Sequence, residues 1–493
     1  MSTEKIHTPP SGKSIQQYID ETPVWSDGTS LKGTPMTAMQ WRIWSLAVAG
    51  KFFEGLVIFM TGIALPLIVR DFTLQAAQKG VVTAVALFGI LIGATMLGGL
   101  SDIFGRKRMF IAEMVIFVVF LIGLTLSPSY LWMVICLFGI GLALGCDYPT
   151  AHLVISEAVP SKGRGGLVLG AFAFQAVGAI VGAGLGIIIL DVYPEVDAWR
   201  WMYAAAVIPA ILVIVGRFFI TDSPHWLASK GRMEEAEKET RRLLKRVPQY
   251  PKEVVLNREH AHHHQKVSPA VLFNNKNRRA TFLAAIPWFI QDLGTYGIGI
   301  FTPIILATTL GASRDVHSVA DLAQNVMLSA KGTALLDMLL ILGVLAAIFF
   351  VEGTGRIKLQ IIGFIGCAVG LGLAAISLNL PDGDKTILLF AGFMLFNFMT
   401  NLGPNAQTYL LAGEVFPTSI RGYGAGFAAS FAKIGAVMTA FLFPILLHTI
   451  GTQTLLIILV CTSILGAVLT WVFRVETRGS LEKIEEARVQ PQV

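Results

Sequence analysis

The sequence predicts an all-α membrane protein, with twelve transmembrane helices in two pseudo-symmetric six-helix bundles. Three observations predict it. Hydrophobic residues make up 54% of the 493-residue chain and charged residues only 14%, against roughly 25% charged in a soluble domain. Mean hydropathy is +0.66, so the chain cannot clothe itself in a water-compatible surface. Stretches long enough to cross a bilayer, about 20 apolar residues, recur along its length, and short polar motifs return once in the same order.

Residues 1–40 are polar and rich in Pro, Thr and Ser. They lack the apolar core of a cleavable signal and read as a loose cytoplasmic tail. Apolar spans follow, centred near 42–67, 79–100, 109–127, 131–156, 165–190 and 201–220. A polar linker, 221–280, contains "MEEAEKETRRLLKR", whose charge pattern suggests short surface helices. Six more spans lie near 281–305, 333–351, 359–379, 387–412, 423–447 and 453–474, before a tail at 476–493. The domains are thus a first bundle at 41–220 and a second at 281–475. Lipid leaves no partner for open backbone groups, so the spans are helices. A barrel would need short alternating segments instead.

The net charge of +6 does not indicate nucleic acid. Its cations collect in alternate connections: Arg106 to Arg108, Lys162 with Arg164, the run from Lys230 to Arg279, Arg356 with Lys358, Arg421, and Arg474 with Arg478. The positive-inside rule places that face and both ends of the chain in the cytoplasm. Cys136, Cys146, Cys367 and Cys461 all fall inside apolar spans, with neither metal-ligand nor disulfide spacing. "HAHHH" (260–264) reads as solvated linker surface. No GxxxxGK[ST] loop appears, which argues against direct ATP drive. No nucleophile–base spacing points to an enzyme.

"SEAVPSKGRG" (156–165) matches "GEVFPTSIRG" (413–422), and "SDIFGRKR" (101–108) matches "VEGTGRIK" (351–358). Two halves in parallel orientation explain both pairs, and such duplications place a substrate site between the halves near the midplane. Gly98 and Gly99 allow close helix approach. Asp102 can meet the exposed N-terminus of another helix and Arg106 can pair with an acid. Asp102, Arg106, Glu157, Arg164, Glu414 and Arg421 form candidate conformational latches, with Glu157–Arg164 and Glu414–Arg421 as candidate partners in equivalent places of the two halves.

Ionisable groups inside spans mark pathways or pairs, because each is costly there. Glu54 and Lys51 lie in the first span, Asp147 and Tyr148 in the fourth, Gln175 in the fifth, Asp337 in the eighth, Asn405 in the tenth and Lys433 in the eleventh. Trp288, Asp292 and Tyr296 occupy positions i, i+4 and i+8 of the seventh, one face of a helix. Asp292 is the only charged residue between Ala280 and Leu310. Lys433 needs an anionic partner: Asp292, Asp147 or the substrate. Lys51, one turn before Glu54, is placed to pair with it. Asn405, in "LGPNAQ", either bonds between helices or caps a break. His152 is a structural bond or a proton relay.

These motifs resemble the major facilitator superfamily. "GGLSDIFGRKR" (98–108) is similar to its loop 2–3 signature, and "DSPHWLASKGRMEEA" (222–236) and "GEVFPTSIRG" resemble its sugar-porter-like branch. Within it, "GCDYPTA" (145–151), Gln175, the Trp288–Asp292–Tyr296 face, "GPNAQTYLLAGEVFPT" (403–418) and Lys433 resemble the phosphate:proton symporters. That resemblance implies Tyr148, Gln175, Trp288, Asp292, Tyr296, Asn405 and Lys433 around the substrate, and Glu54, Asp147 and Asp292 in proton coupling. One departure is Val57, where that family tends to carry a second acid. The expected function is proton-coupled symport of a small anion, foremost inorganic phosphate, by alternating access. A small organic acid, another metabolite or a sugar is the alternative, and a non-transporting sensor is a remoter one. No metal and no cofactor beyond the proton gradient is expected. The partners are the small anion, protons and lipid, with no nucleic acid. The chain is expected to act as a monomer in a plasma or inner membrane.

Overall fold

The computed structural model describes residues 12–23, 34–97, 100–246, 253–257, 269–310, 318–417 and 420–475. For Tyr148, Pro269, Glu352, Asp382, Arg421 and residues 308–310 and 422, the backbone alone is described. Gly98, Gly99 and the 260–264 histidine run lie outside the described residues.

Eleven helices among the described residues are long and apolar enough to cross a membrane. The last of them, Arg421–Phe473, breaks at Gly451 (φ 77°), which gives twelve crossings. In chain order these are α1 (Ala38–Phe72), α2 (Ala76–Ile92, continued by a π turn at Gly93–Leu97), α3 (Arg106–Thr125), α4 (Tyr130–Ala158) and α5 (Arg164–Val192). Next come α6 (Ala198–Ala204 with Val207–Phe218), α7 (Arg278–Leu310), α8 (Val319–Thr354), α9 (Arg356–Ser377) and α10 (Asp382–Leu402 with Pro404–Glu414). The two sides of the Gly451 break are α11 and α12. α1 begins with a reciprocal cap: Thr37 Oγ1 accepts from Gln40 N at 3.2 Å, and the Gln40 side chain accepts from Thr37 N at 2.7 Å. At 35 residues and 1.5 Å per residue, α1 is about 50 Å long, so it projects beyond a hydrocarbon core of about 30 Å.

The duplicated motifs fold alike. Gly105 and Gly355 both take positive φ (105° and 87°), a region costly for any residue with a Cβ. Each immediately precedes a helix that opens with arginine. Arg106 bonds Glu157 at 3.3 Å and Asp102 at 2.5 Å. Its counterpart Arg356 grips Glu414 through Nε at 2.9 Å and Nη2 at 3.0 Å. The expected Glu157–Arg164 pairing is therefore corrected. Arg164 turns instead to the Val159 carbonyl and Ser161 hydroxyl, both at 3.4 Å. Glu414 is held by Arg356, and the Arg421 side chain lies outside the described residues. The arginine at each helix start reaches the acid of the other motif, so the acid expected for Arg106 is Glu157 together with Asp102.

The N-terminal segment is not loose throughout. Residues Ile15–Asp20 form a helix whose Ile15, Tyr18 and Ile19 are buried. Asp20 accepts from Ser161 N and Oγ, both at 2.7 Å. Three apolar residues on one turn are enough to dock an otherwise polar segment. The linker contains Pro224–Ser229 and Met233–Leu243, with Glu234 and Glu235 in the latter's first turn and Arg241 and Arg242 in its last, signs that suit the helix dipole.

The halves meet differently at the two faces. Away from the basic face they touch backbone to backbone. A Cβ on Gly62 would strike the Ile300 carbonyl, and one on Gly80 would meet the Phe441 carbonyl. Thr83 Oγ1 donates to the Ala440 carbonyl at 2.7 Å. Nearer the basic face the contact is aromatic: Tyr409 stacks on Phe172 at 5.1 Å and bonds His152 Nδ1 at 2.9 Å. This places His152 in a bond between the halves.

Candidate functional site

Between these two closures lies a cavity lined by Gln175, Trp288, Asp292, Tyr296, Asn405 and Lys433, together with Lys51, Phe172 and Thr295. Six of the seven residues expected around the substrate thus share one cavity. The seventh, Tyr148, sits on α4, and its side chain lies outside the described residues. Near the cavity two helices depart from regular geometry, as helices often do at functional sites. The π turn of α2 follows the lining residue Ile90 and includes Ala94. α10 breaks at Gly403, just before Pro404 and Asn405.

The charges form one network across the halves. Lys51 Nζ lies 2.5 Å from Glu54 Oε2, the pairing that their one-turn spacing anticipates. Glu54 Oε1 accepts from Tyr296 OH at 2.9 Å and from Gln175 Nε2 at 3.4 Å. Lys433 Nζ donates to Tyr296 OH at 2.6 Å and lies 3.4 Å from Asp292 Oδ2 and 3.7 Å from Glu54 Oε1. Of the partners considered for Lys433, Asp292 is therefore met, and Glu54 is a second that the sequence did not suggest. Two ammonium groups face two carboxylates, so the network sums to zero.

A second, uncharged array adjoins it. Gln291 Nε2 donates to Thr295 Oγ1 at 2.7 Å and to Asn405 Oδ1 at 2.9 Å. Asn405 Nδ2 donates to Asn401 Oδ1 at 2.6 Å, and Thr295 meets Thr400 at 3.1 Å. Asn405 therefore bridges helices rather than capping the break, where Gly403 is the cap residue and supplies no side-chain bond. Gln291 Oε1 is buried and has no hydrogen-bond partner among the described residues, so it is an acceptor in search of a donor. Asn397, Asn401 and Asn405 recur at four-residue spacing, a signal readable in sequence, as is Gln291 beside Asp292.

Asp147 is not in this cavity. It lines a neighbouring one toward the basic face with Lys51, Glu54, His152 and Tyr409, and is ion-paired to Arg217 at 2.7 Å. Asp337 is buried on α8, with Oδ2 unpartnered among the described residues.

The family model for "Sugar (and other) transporter" matches residues 43–487. The inner membrane metabolite transport protein YgcS of Escherichia coli K12 is 30% identical over 455 residues, covering 90% of this chain and 93% of that protein. The galactose-proton symporter of the same organism is 27% identical over 457 residues, covering 92% and 95%. A solved structure of the proton:xylose symporter XylE, from E. coli, superposes with a TM-score of 0.71 at 21% identity, covering 91% of this chain and 99% of that one. At that identity the last likeness establishes the fold alone. These matches correct one expectation: they carry the sugar-porter-like resemblance and give no support to a phosphate symporter as the nearest family.

Proposed function

The chain belongs to the sugar (and other) transporter family, a multi-pass membrane family, and from that premise we propose that it is a proton-coupled symporter of a small neutral polyhydroxylated metabolite, a sugar or polyol. The observation that carries this reading is the uncharged wall of the cavity: Gln175, Thr295 and Asn405 line it, and Gln291 stands behind them, bonded to Thr295 and Asn405, with its Oε1 left without a donor among the described residues. A substrate hydroxyl can both donate to and accept from the amides and hydroxyl that line this wall, and leaving such a group unmatched costs about 1–3 kcal/mol. Trp288 gives the same cavity a flat apolar wall. The charge count points the same way. Lys433, which suggested an anion, is already enclosed by Asp292 and Glu54, so phosphate would enter a site whose cation is neutralised. Proton-driven relatives among the matches support the coupling.

In this reading Gln175, Trp288, Thr295 and Asn405 contact substrate, Gln291 orients Thr295 and Asn405 from behind, and Tyr148 joins them from α4. The network of Lys51, Glu54, Asp292, Tyr296 and Lys433 joins the halves on the substrate's flank. The Arg106–Glu157 and Arg356–Glu414 pairs set the rate of exchange between access states. The protein works as a monomer, with its basic face in the cytoplasm, and needs no cofactor beyond the proton gradient. The test is uptake into proteoliposomes of labelled hexoses, pentoses, inositol, phosphate and carboxylates, with and without an inward proton gradient. Accumulation of a sugar or polyol that a protonophore abolishes is expected. Gradient-driven accumulation of phosphate with no sugar transport overturns the reading.

A further inference from the structure

A second group of buried charges lies among α3, α4 and α6. Glu113 is 2%, Asp147 3% and Arg217 0% exposed. Arg217 is fixed from several sides. Nη1 donates to the Phe110 carbonyl and Nη2 to the Leu46 carbonyl at 3.2 Å, and the guanidinium lies 3.4 Å from the centre of the Phe110 ring. Nη1 also lies 2.7 Å from Asp147 Oδ1, a close charge pair. Glu113 Oε1 accepts from the Thr150 hydroxyl at 2.8 Å and the Cys146 thiol at 3.2 Å, which flank Asp147 on α4. Glu113 Oε2 and Arg217 Nε are buried without hydrogen-bond partners among the described residues.

The two buried groups count differently. The cavity network balances two cations with two carboxylates. Here there are two carboxylates and one guanidinium: Arg217 pairs with Asp147, and Glu113 has no cation within 4.0 Å among the described residues. An uncompensated buried charge costs several kcal/mol, and carboxylates that share a site do not both ionise freely. We propose that Glu113 and Asp147 together hold one exchangeable proton around Arg217, and that this is the proton coupled to transport.

The proton rests on Glu113, whose neighbours are uncharged donors and whose Oε2 is bare. Asp147 is its door, because it lines the cavity toward the basic face. The charged groups facing Asp147 are Arg217 on α6, Lys51 and Glu54 on α1, and Glu113 on α3; His152 lies further along α4. The link to the other half runs through Lys51. When the cluster gains its proton, one negative charge facing Lys51 disappears, and Lys51 turns more fully to Glu54. That weakens the hold of Glu54 on Tyr296 and Lys433 across the interface. Substrate hydroxyls and the proton thus bind at separate places that share α1.

This inference rests on the proton-coupled reading, and the experiment separates the two. Reconstituted wild-type protein is assayed for uphill sugar uptake and for counterflow across pH. A gradient of about one pH unit supports up to about tenfold accumulation with one proton per substrate; if wild type shows none, the proton-coupled reading itself fails. Given wild-type coupling, Glu113→Gln is expected to bring accumulation to parity with the medium. Its counterflow should lose pH dependence and run at the wild-type acid-limit rate. An infrared band of a protonated carboxyl, present in wild type, should vanish with it. Thr150→Val, which removes a bond to Glu113 and no charge, should displace the pH midpoint of counterflow, and it decides the matter if Glu113→Gln does not fold. Wild-type accumulation and pH profile in Glu113→Gln, or an unmoved midpoint in Thr150→Val, overturns the proposal.

Discussion

Replacing Lys433 by Met tests whether the cavity's charges balance one another or await an ionic substrate. Lys433 Nζ stands 3.4 Å from Asp292 and 3.7 Å from Glu54. With an effective dielectric of about 20, each attraction is worth about 5 kcal/mol before desolvation and before repulsion from Lys51. Glu54 keeps Lys51 at 2.5 Å after the substitution, whereas Asp292 keeps no cation within 4.0 Å among the described residues. Breaking a buried pair from one side costs about 3–5 kcal/mol, and removing both partners costs far less. Lys433→Met should therefore lower the melting temperature in detergent sharply, and the double variant Lys433→Met with Asp292→Asn should recover most of the loss. Sugar affinity in the double variant, read by calorimetry, should fall by no more than about tenfold, equivalent to about 1.4 kcal/mol. A double variant no more stable than the single one refutes the charge accounting. A double variant that is stable but blind to sugar puts Lys433 or Asp292 on the substrate and refutes their placement on its flank.

Other expectations follow from single contacts. Gln291→Ala or Asn405→Ala should weaken sugar binding by about 1–3 kcal/mol per lost bond, with little effect on the pH profile; calorimetry reads both. Arg356→Ala should slow counterflow while leaving equilibrium affinity nearly unchanged, because it severs a latch remote from the cavity; a large affinity loss with normal turnover counts against that role. A methyl at Gly50 would land on the Asp147 carboxylate, so Gly50→Ala should disturb proton-driven uptake more than sugar binding. Burial holds the His225 imidazole below its ordinary value, with Arg164 adding to the effect and Glu157 opposing it. The unfolded chain therefore binds the extra proton first, so stability should fall as pH drops below about 6.5; His225→Gln should flatten that slope in a melting series.

Hydropathy revealed the spans because lipid imposes length and composition on each of them separately. The cavity residues were legible for a related reason: Trp288, Asp292 and Tyr296 lie on one helix face, and any lone charge in such a span attracts notice. Partners were harder. Glu113 lies only seven residues after the basic start of α3, and Arg217 is the penultimate residue of its helix. Charges so placed read as topology signals, and only the packing of α3, α4 and α6 turns them inward. The phosphate reading failed on a similar point. It paired Lys433 with Asp292 and let an anion take the lysine over; the second carboxylate that completes its neutralisation is Glu54, which comes from the other half of the chain.

The backbone seal at Gly62 and Gly80 gives this carrier an uneven mutational spectrum. Neither position has a side chain to lose, so every coding change there is an enlargement that pushes an opposing carbonyl away. Drift cannot loosen the far-side closure by degrees; it can only wedge it. Selection on these two codons should act as a threshold. Variants at Tyr409, where closure depends on ring size, should form a graded series.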